Sequence, residues 1–346
     1  MLIWLVLILA LPVILFSVIG MLLSAPKYKG LVTDHFNGKT FINPGGIKAK
    51  GTREVFKWMF NRQRTPWKED LIASPGARPL AFFKDGIRIT FVNHTTFLIQ
   101  VNGVNILTDP VWSKRVSPFS WAGPKRMRPP GIKFEDLPKI HYVLLSHNHY
   151  DHLDIQTMHV LQGAHQPKIV TPLGVKAFLD KEQIAGATEL DWWDKIELTG
   201  NISVQAVPAQ HFSGRGSLDR DATLWCGYVL NTPSGKIYFA GDTGYNDFTF
   251  KEIGEKIGSF DLSIIPIGAY KPRWFMSPIH IDPDEAVKIF LETKTKFAIA
   301  SHFGTFPLAD DGQDDPINDL AKALQKYDVP STDFVTLKEG ESRDIA

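Results

Sequence analysis

Apolar residues along this chain are arranged in two ways. The first is an unbroken block: Met1–Pro26 contains no Asp, Glu, Lys, Arg or His. As a helix rising about 1.5 Å per residue it would reach roughly 37 Å, enough to cross a hydrocarbon core of about 30 Å with some tilt. Pro12 is tolerated inside such a span. A cleaved signal peptide is the rival reading. Against it, no basic leader precedes the block, the apolar stretch is overlong, and Ser24-Ala25-Pro26 is a poor cleavage site. The pattern predicts an uncleaved transmembrane anchor over residues 1–25. Lys27, Lys29, Lys39, Lys48, Lys50 and Arg53 follow it. The positive-inside rule then predicts a single-pass membrane protein with its body on the cytoplasmic side.

The second arrangement begins after a Gly-, Pro-, Lys- and Arg-rich arm over residues 26–80. That arm carries one helical candidate, Thr52–Asn61, expected to pack on the body through Phe56, Trp58 and Phe60. Over residues 81–346 short β-rich runs alternate with turns and helical stretches. The strand candidates are Ile87–Val92, Phe97–Val101, Asn105–Leu107, Tyr142–Ser146, Ile202–Val207, Leu224–Leu230, Lys236–Ala240, Leu262–Pro266 and Phe297–Ser301. The helix candidates are Gly174–Lys181, Thr249–Ile257, Asp284–Glu292 and Ile317–Tyr327. Asp282-Pro283-Asp284-Glu285 is a good helix start, with acids in the first turn and a proline near it. Many strands with interspersed helices predict layered sheets with helices outside, in the α/β class.

Composition narrows the chemistry. The 346 residues carry 38 basic and 37 acidic side chains, a net charge of +1, which gives no support for nucleic-acid binding. The single cysteine, Cys226, excludes an intramolecular disulfide framework and a cysteine-based zinc cluster.

Histidines carry the strongest signal. His147-Asn148-His149-Tyr150-Asp151-His152 directly follows the apolar run Tyr142–Ser146, placing four nitrogen or oxygen donors within six residues at a strand mouth. Buried together and unpaired they would be costly; around a divalent cation they are satisfied. His211, Asp242 and His302 each stand just beyond the carboxyl end of another apolar strand, so one sheet edge can gather all seven. Seven donors are too many for one tetrahedral ion and suit two, with Asp242 bridging. An all-N/O set favours Zn²⁺ and leaves Fe or Mn open.

Ser146–Asp154 (SHNHYDHLD) resembles the metal-binding signature of the metallo-β-lactamase superfamily. LTDPVW (107–112), AGPKRMRPPGI (122–132), ELDWWD (189–194), FAGDTGY (239–245), IPIGAYKPRWFM (265–276) and HIDPDEA (280–286) make the chain similar to the N-acyl-phosphatidylethanolamine-hydrolysing phospholipase D family. The resemblance covers roughly residues 80 to 340. It implies an αββα sandwich with the metal site at one edge of the two sheets. It also implies one zinc held by His147, His149 and His211, a second by Asp151, His152 and His302, and Asp242 between them. The N-terminal apolar span is not part of the family pattern.

On that resemblance the expected reaction is phospholipase D-type hydrolysis of N-acyl-phosphatidylethanolamine to an N-acylethanolamine and phosphatidic acid. Asp151 and His280 are the expected catalytic groups, His280 as acid or as a hydrogen-bond donor to phosphate. The bland alternative for His280 is a structural histidine behind the ligands. Trp274, Phe275 and Met276 are candidates for an acyl-chain groove, or are ordinary core. Six basic residues with Trp112, Phe119 and Trp121 lie between Asp109 and Glu135. That loop could sit on an anionic lipid surface or simply be solvated. Asn93-His94 ends a strand early in the body and could approach the site, but it is not counted among the ligands. The expected partner is phospholipid at a membrane surface, and a homodimer is compatible with the sequence. The rival functions are a metal-dependent lactonase or other esterase, and a non-catalytic binding module.

Overall fold

The computed structural model describes residues 15, 17–70 and 76–345. Residues 17–23 are helical and end against the body of the protein. Ser24 Oγ donates to Gly20 O at 2.7 Å, Ser217 N donates to the same carbonyl at 3.0 Å, and Ala25 N donates to Asp219 Oδ2 at 2.8 Å. Lys181 Nζ reaches Leu22 O at 3.1 Å.

These contacts correct the expected membrane location. Among the described residues, no helix is long and apolar enough to cross a membrane. The single-pass anchor with a cytoplasmic body is therefore not supported. The last turns of the apolar run are bonded to a folded surface that carries a lysine and an aspartate, which is incompatible with burial in hydrocarbon there. Residues 1–14 and 16, which made up the rest of the expected span, lie outside the described residues.

The arm packs on the body, and of the three aromatics expected in its helix Trp58 alone does so. In α1 (Thr52–Phe60) the Trp58 ring stacks on Phe275 at 4.9 Å and its Nε1 donates to Asp310 Oδ2. Phe56 and Phe60 face solvent at 53% and 85% exposure, so neither anchors the arm.

Strands β1 (Ile87–Asn93), β2 (Thr96–Val101) and β3 (Val104–Thr108) form an antiparallel meander. β4 (Tyr142–Leu144), β5 (Lys168–Pro172) and β6 (Ala187–Leu190) extend it in parallel. The second sheet repeats this plan. β7 (Lys195–Thr199), β8 (Ile202–Val207), β9 (Gly227–Thr232) and β10 (Gly235–Phe239) are antiparallel, and β11 (Leu262–Pro266), β12 (Ala298–Ser301) and β13 (Phe334–Val335) follow in parallel. The last strand, β14 (Ser342–Ile345), returns to the first sheet beside β1, where Arg88 grips Asp344 at 2.6 and 2.7 Å. Among the described residues each sheet has seven strands.

The period-2 alternation explains the layering. Ile87, Ile89 and Phe91 turn inward to share one core with Val204, Tyr228 and Ile264 of the second sheet. Val92, Leu98, Leu107 and Val143 turn outward, where α2 (Ile155–Ala164) and α3 (Val175–Lys181) cover them with Met158, Leu161, Phe178 and Leu179. Each such apolar side chain contributes about 1.5–3 kcal/mol on burial.

Across the molecule, α4 (Thr249–Lys256), α6 (Pro283–Glu292) and α7 (Asp315–Lys326) bring Phe250, Val287, Phe290 and Leu320 into the same core as the second sheet. The short α5 (Arg273–Met276) lies beside α1. The result is the expected α/β sandwich of αββα type. The expected start of α6 is present as a capping box, with Glu285 N donating to Asp282 Oδ1 at 2.9 Å and Asp282 N to Glu285 Oε2 at 3.1 Å.

Candidate metal centre

The seven predicted donors converge at one edge of the two sheets. β4 delivers the loop of His147–His152, β8 is followed by His211, β10 by Asp242 and β12 by His302. Gly241 lets Asp242 reach the site. Its φ of +61° is a left-handed conformation, and a Cβ there would stand 2.7 Å from that of Ser146. The β1–β2 hairpin adds His94, whose backbone O accepts from His302 N at 2.8 Å.

Two clusters share Asp242. His147 Nε2 and His211 Nε2 lie 2.8 and 3.2 Å from His149 Nδ1, forming a three-nitrogen nest. His94, Asp151, His152 and His302 form the second cluster, each offering one ligand atom within 4.8 Å of the others. Asp242 Oδ2 stands 3.1 Å from both His152 Nε2 and His302 Nε2, and 3.8 Å from His211 Nε2. Asp151 Oδ2 is 3.4 Å from the same two nitrogens and 3.0 Å from His94 Nε2.

The supporting bonds fix which nitrogen faces inward. His211 Nδ1 donates to Ile279 O at 2.8 Å, and His152 Nδ1 to Asp109 Oδ2 at 2.7 Å, leaving each Nε2 lone pair aimed at the centre. Asp109 is held in turn by Ser146 N and Ser146 Oγ.

Burial, aided by neighbouring imidazoles, holds His147 and His149 well below the ordinary imidazole range. Burial also lowers His280 well below it, His211 to about 4 and His94 to about 3. These five rings are neutral at pH 7, the form a metal ligand needs. Burial opposes charge on Asp151 and Asp242 too, yet His152 and His302 keep both carboxyls well below their usual range. Against the same burial, Asp242 and Asp151 raise His152 well above 6.5 and His302 to about 9.

A cation resolves an imbalance among these atoms. His152 Nε2, His302 Nε2 and Asp242 Oδ1 are buried without a hydrogen-bond partner. Buried orphans of this kind cost about 1–3 kcal/mol each, and divalent metal at the centre offers partners to the two inward-facing imidazole nitrogens and to the carboxylate. The residues present therefore fit a metal. Cys226 is no ligand: it is buried, its thiol pushed up by that burial, and it belongs to the core between the sheets.

Above the cluster opens a cavity of about 250 Å³. His149, Asp151, Asp242 and His280 border it on one side, and Val55, Trp58, Phe212, Phe275, Met276 and Leu308 supply apolar wall. Lys50 and Arg220 add positive charge to its lining. A larger cavity of about 620 Å³, between residues 112–120 and α2, includes none of the clustered metal-ligand candidates. The chemistry belongs to the smaller one.

A family profile described as "Beta-lactamase superfamily domain" matches residues 104–303. N-acyl-phosphatidylethanolamine-hydrolyzing phospholipase D 1 of Caenorhabditis elegans is 41% identical over 328 residues, covering 88% of this chain and 92% of the relative. The chain belongs to the N-acyl-phosphatidylethanolamine-hydrolysing phospholipase D family of the metallo-β-lactamase superfamily. A second relative, the mitochondrial N-acyl-phosphatidylethanolamine-hydrolyzing phospholipase D of Saccharomyces cerevisiae, is 35% identical over 222 residues, 63% of this chain and 46% of its own length. In fold, the chain resembles a metallo hydrolase from the archaeon Ignicoccus hospitalis KIN4/I, with a TM-score of 0.56 at 18% identity. That match covers 74% of this chain and 97% of the other. As a member of this family, the protein is a metal-dependent hydrolase.

All seven ligand candidates of this phospholipase D-family chain are brought together, and His280 stands beside them with Nδ1 3.8 Å from Asp242 Oδ2. Phe275 and Met276 line the cavity, but Trp274 does not: it is 43% exposed and faces a separate depression near Lys271. In the basic loop, Arg126 is buried and donates to Val111 O and Ser113 O, and Trp112 Nε1 donates to Ile132 O. These two serve the fold, while Trp121 is 77% exposed. His94, which the sequence placed near the site without counting it as a ligand, joins the second cluster, and Asp109 is an addition the sequence did not single out. Both are polar residues at the ends of apolar strands, the signal that found His211, Asp242 and His302.

Proposed function

We propose that this protein is a dinuclear-zinc phosphodiesterase of phospholipase D type, hydrolysing N-acyl-phosphatidylethanolamine to an N-acylethanolamine and phosphatidic acid. His147, His149 and His211 would hold one ion and Asp151, His152 and His302 the other, with Asp242 shared. Two zinc ions there would supply Lewis acidity toward phosphate oxygens and acidify a water. The observation that carries the reading is the joining of an imidazole–carboxylate cluster to an apolar cavity rimmed by Lys50 and Arg220. An anionic phosphodiester with long acyl chains matches both halves of that site.

The chain's own groups divide the work. Lys50 and Arg220 attract the phosphate, and Phe212, Phe275 and Met276 shelter apolar substrate from water. Water attacks phosphorus, the bond from phosphorus to the ethanolamine oxygen breaks, and Asp151 relays the proton released by the water to the departing alkoxide. His280, neutral through burial, donates a hydrogen bond from its N–H to the departing alkoxide and steadies its developing charge. Its position is set by Arg273, whose Nη1 donates to His280 O at 2.8 Å while Nη2 binds Glu285 at 2.6 Å. Phosphatidic acid and the N-acylethanolamine then leave. The named relatives support this substrate class.

The test combines elemental analysis with lipid turnover. Purified protein should carry two zinc ions per chain and release N-acylethanolamine, and His147→Ala and Asp242→Asn should each abolish turnover. Unchanged turnover in both variants overturns the mechanism. Hydrolysis of lactones or generic esters, with the phospholipid untouched, replaces the substrate assignment and leaves the metal centre standing.

A further inference from the structure

His211 lies on residues 208–226, a stretch without regular strand or helix. No sheet ladder therefore holds the backbone of this ligand. Its partner comes from the N-terminal arm. Asn43 Oδ1 accepts from His211 N at 2.8 Å, and Asn43 Nδ2 donates to His211 O at 2.8 Å. One carboxamide thus meets both backbone polar groups of one residue, as a neighbouring strand would in a ladder.

Asn43 is itself fixed from several directions. Trp225 Nε1 donates to Asn43 Oδ1 at 2.9 Å, and Asn43 Nδ2 also reaches Ile47 O at 3.0 Å. Phe41 N donates to Asp221 O at 2.8 Å, and Phe36 and Phe41 pack with Ala209, Leu224 and Trp225 in a small core of their own. Asn43 is 7% exposed, so its amide is largely shielded from water. The matched superfamily region, residues 104–303, does not include it.

We infer that Asn43 is a positioning residue for the metal centre: through the backbone of His211 it aims the His211 imidazole at the cluster, making the N-terminal arm part of the catalytic apparatus. The inference rests on the metal-centre reading above and deepens it. The His211 ring is pinned at Nδ1 by Ile279 O. With Nδ1 tied and the backbone held by Asn43, the ring has little freedom to swing away from His149. Without the amide, the backbone can move and carry Nε2 with it. Losses of this kind behind a ligand cost about 10–100-fold in metal affinity.

The experiment titrates Zn²⁺ into metal-stripped full-length protein against a competing chelator, with Co²⁺ absorption as a second readout of ligand geometry. Asn43→Ala should weaken zinc binding about 10–100-fold and alter the Co²⁺ spectrum. Asn43→Asp keeps the acceptor for His211 N but sets a carboxylate against His211 O, so it should fall between wild type and Asn43→Ala. It also serves if the alanine variant does not fold. Trp225→Phe removes the indole bond to Asn43 and spares the Asn43–His211 pair, so it should bind zinc as wild type does. Wild-type zinc affinity in Asn43→Ala overturns the inference, as does an equal loss in Trp225→Phe, which would make the effect one of arm packing. Failure of the wild-type protein to take up zinc overturns the metal-centre reading itself, a distinct result.

Discussion

Replacing Asp109 with asparagine should damage the centre without altering a ligand. Asp109 is fully buried, and its carboxylate accepts three short hydrogen bonds. Oδ1 accepts from Ser146 N at 2.7 Å, and Oδ2 accepts from Ser146 Oγ at 2.6 Å and His152 Nδ1 at 2.7 Å. Asparagine offers one oxygen and one NH₂ to this set, so whichever way it turns a donor meets a donor. If the NH₂ faces His152, the ring proton moves to Nε2 and blocks the lone pair aimed at the centre. The loss is then about 10–100-fold in zinc affinity, or ~1.4–2.8 kcal/mol at about 1.4 kcal/mol per tenfold. If instead it faces Ser146 N, a buried amide goes unpaired at about 1–3 kcal/mol of folding stability. Relief of the buried charge offsets part of either cost. Chelator competition reads the first outcome and urea denaturation of metal-free protein the second. An Asp109→Asn protein with zinc affinity within about twofold of wild type and an unshifted denaturation midpoint would refute the reasoning.

Two neighbouring aromatics should behave oppositely. Phe275→Ala removes a ring that is 6% exposed and stacked on Trp58, and should cost about 3 kcal/mol in urea denaturation while raising KM most for the longest acyl chains. Trp274→Ala, at an exposed position off the cavity, should shift stability by no more than about 0.5 kcal/mol and leave the KM series unchanged. The arm should dock more firmly in mild acid. Burial lowers His35, but its bonds to Asp191 Oδ1 at 2.7 Å and Asp34 Oδ1 at 2.6 Å win and raise it above its unfolded value of 6.5. That stabilisation is fully present below pH 6.5 and is lost as pH rises through the folded value. Hydrogen exchange over residues 27–47 should be slower at pH 6 than at pH 8 beyond the intrinsic rate change, and His35→Gln should erase the difference.

How far the sequence could be read depended on how local each interaction was. His147–His152 was legible because four donors are contiguous, and His211, Asp242 and His302 because each ends an apolar strand. His94 and Asp109 obey the same rule. A lone polar residue at a strand end carries little weight, however, until the fold shows its neighbours: Asp151 for His94, His152 for Asp109. β6 and β7 escaped notice because runs such as Ala187–Leu190 are short and only partly buried, with little periodicity to detect; β5, five residues and mostly buried, is a short apolar run with no alternation. Helical geometry already argued against packing Phe56, Trp58 and Phe60 together. Residues four apart share a face and the one between them does not, and the structure buries the Trp58 side against Phe275.

The N-terminal run and Asn43 make the same point from opposite sides. Hydropathy measured the length of residues 1–25 but could not register that Gly20 and Ala25 are claimed by Ser217 and Asp219, almost two hundred residues on. Asn43 sits in an Asn-Pro-Gly-Gly turn, and nothing local separates it from any other loop asparagine. Its meaning lies in a backbone pair 168 positions away. Ligands are legible because a metal needs particular side chains at strand ends. The groups that aim the ligands are not, because a carboxamide, a carboxylate or a backbone carbonyl can serve equally well from any segment the fold brings near. Behind His211 and His152 that task falls to Asn43, Ile279 O and Asp109, three partners with no common spacing or residue type.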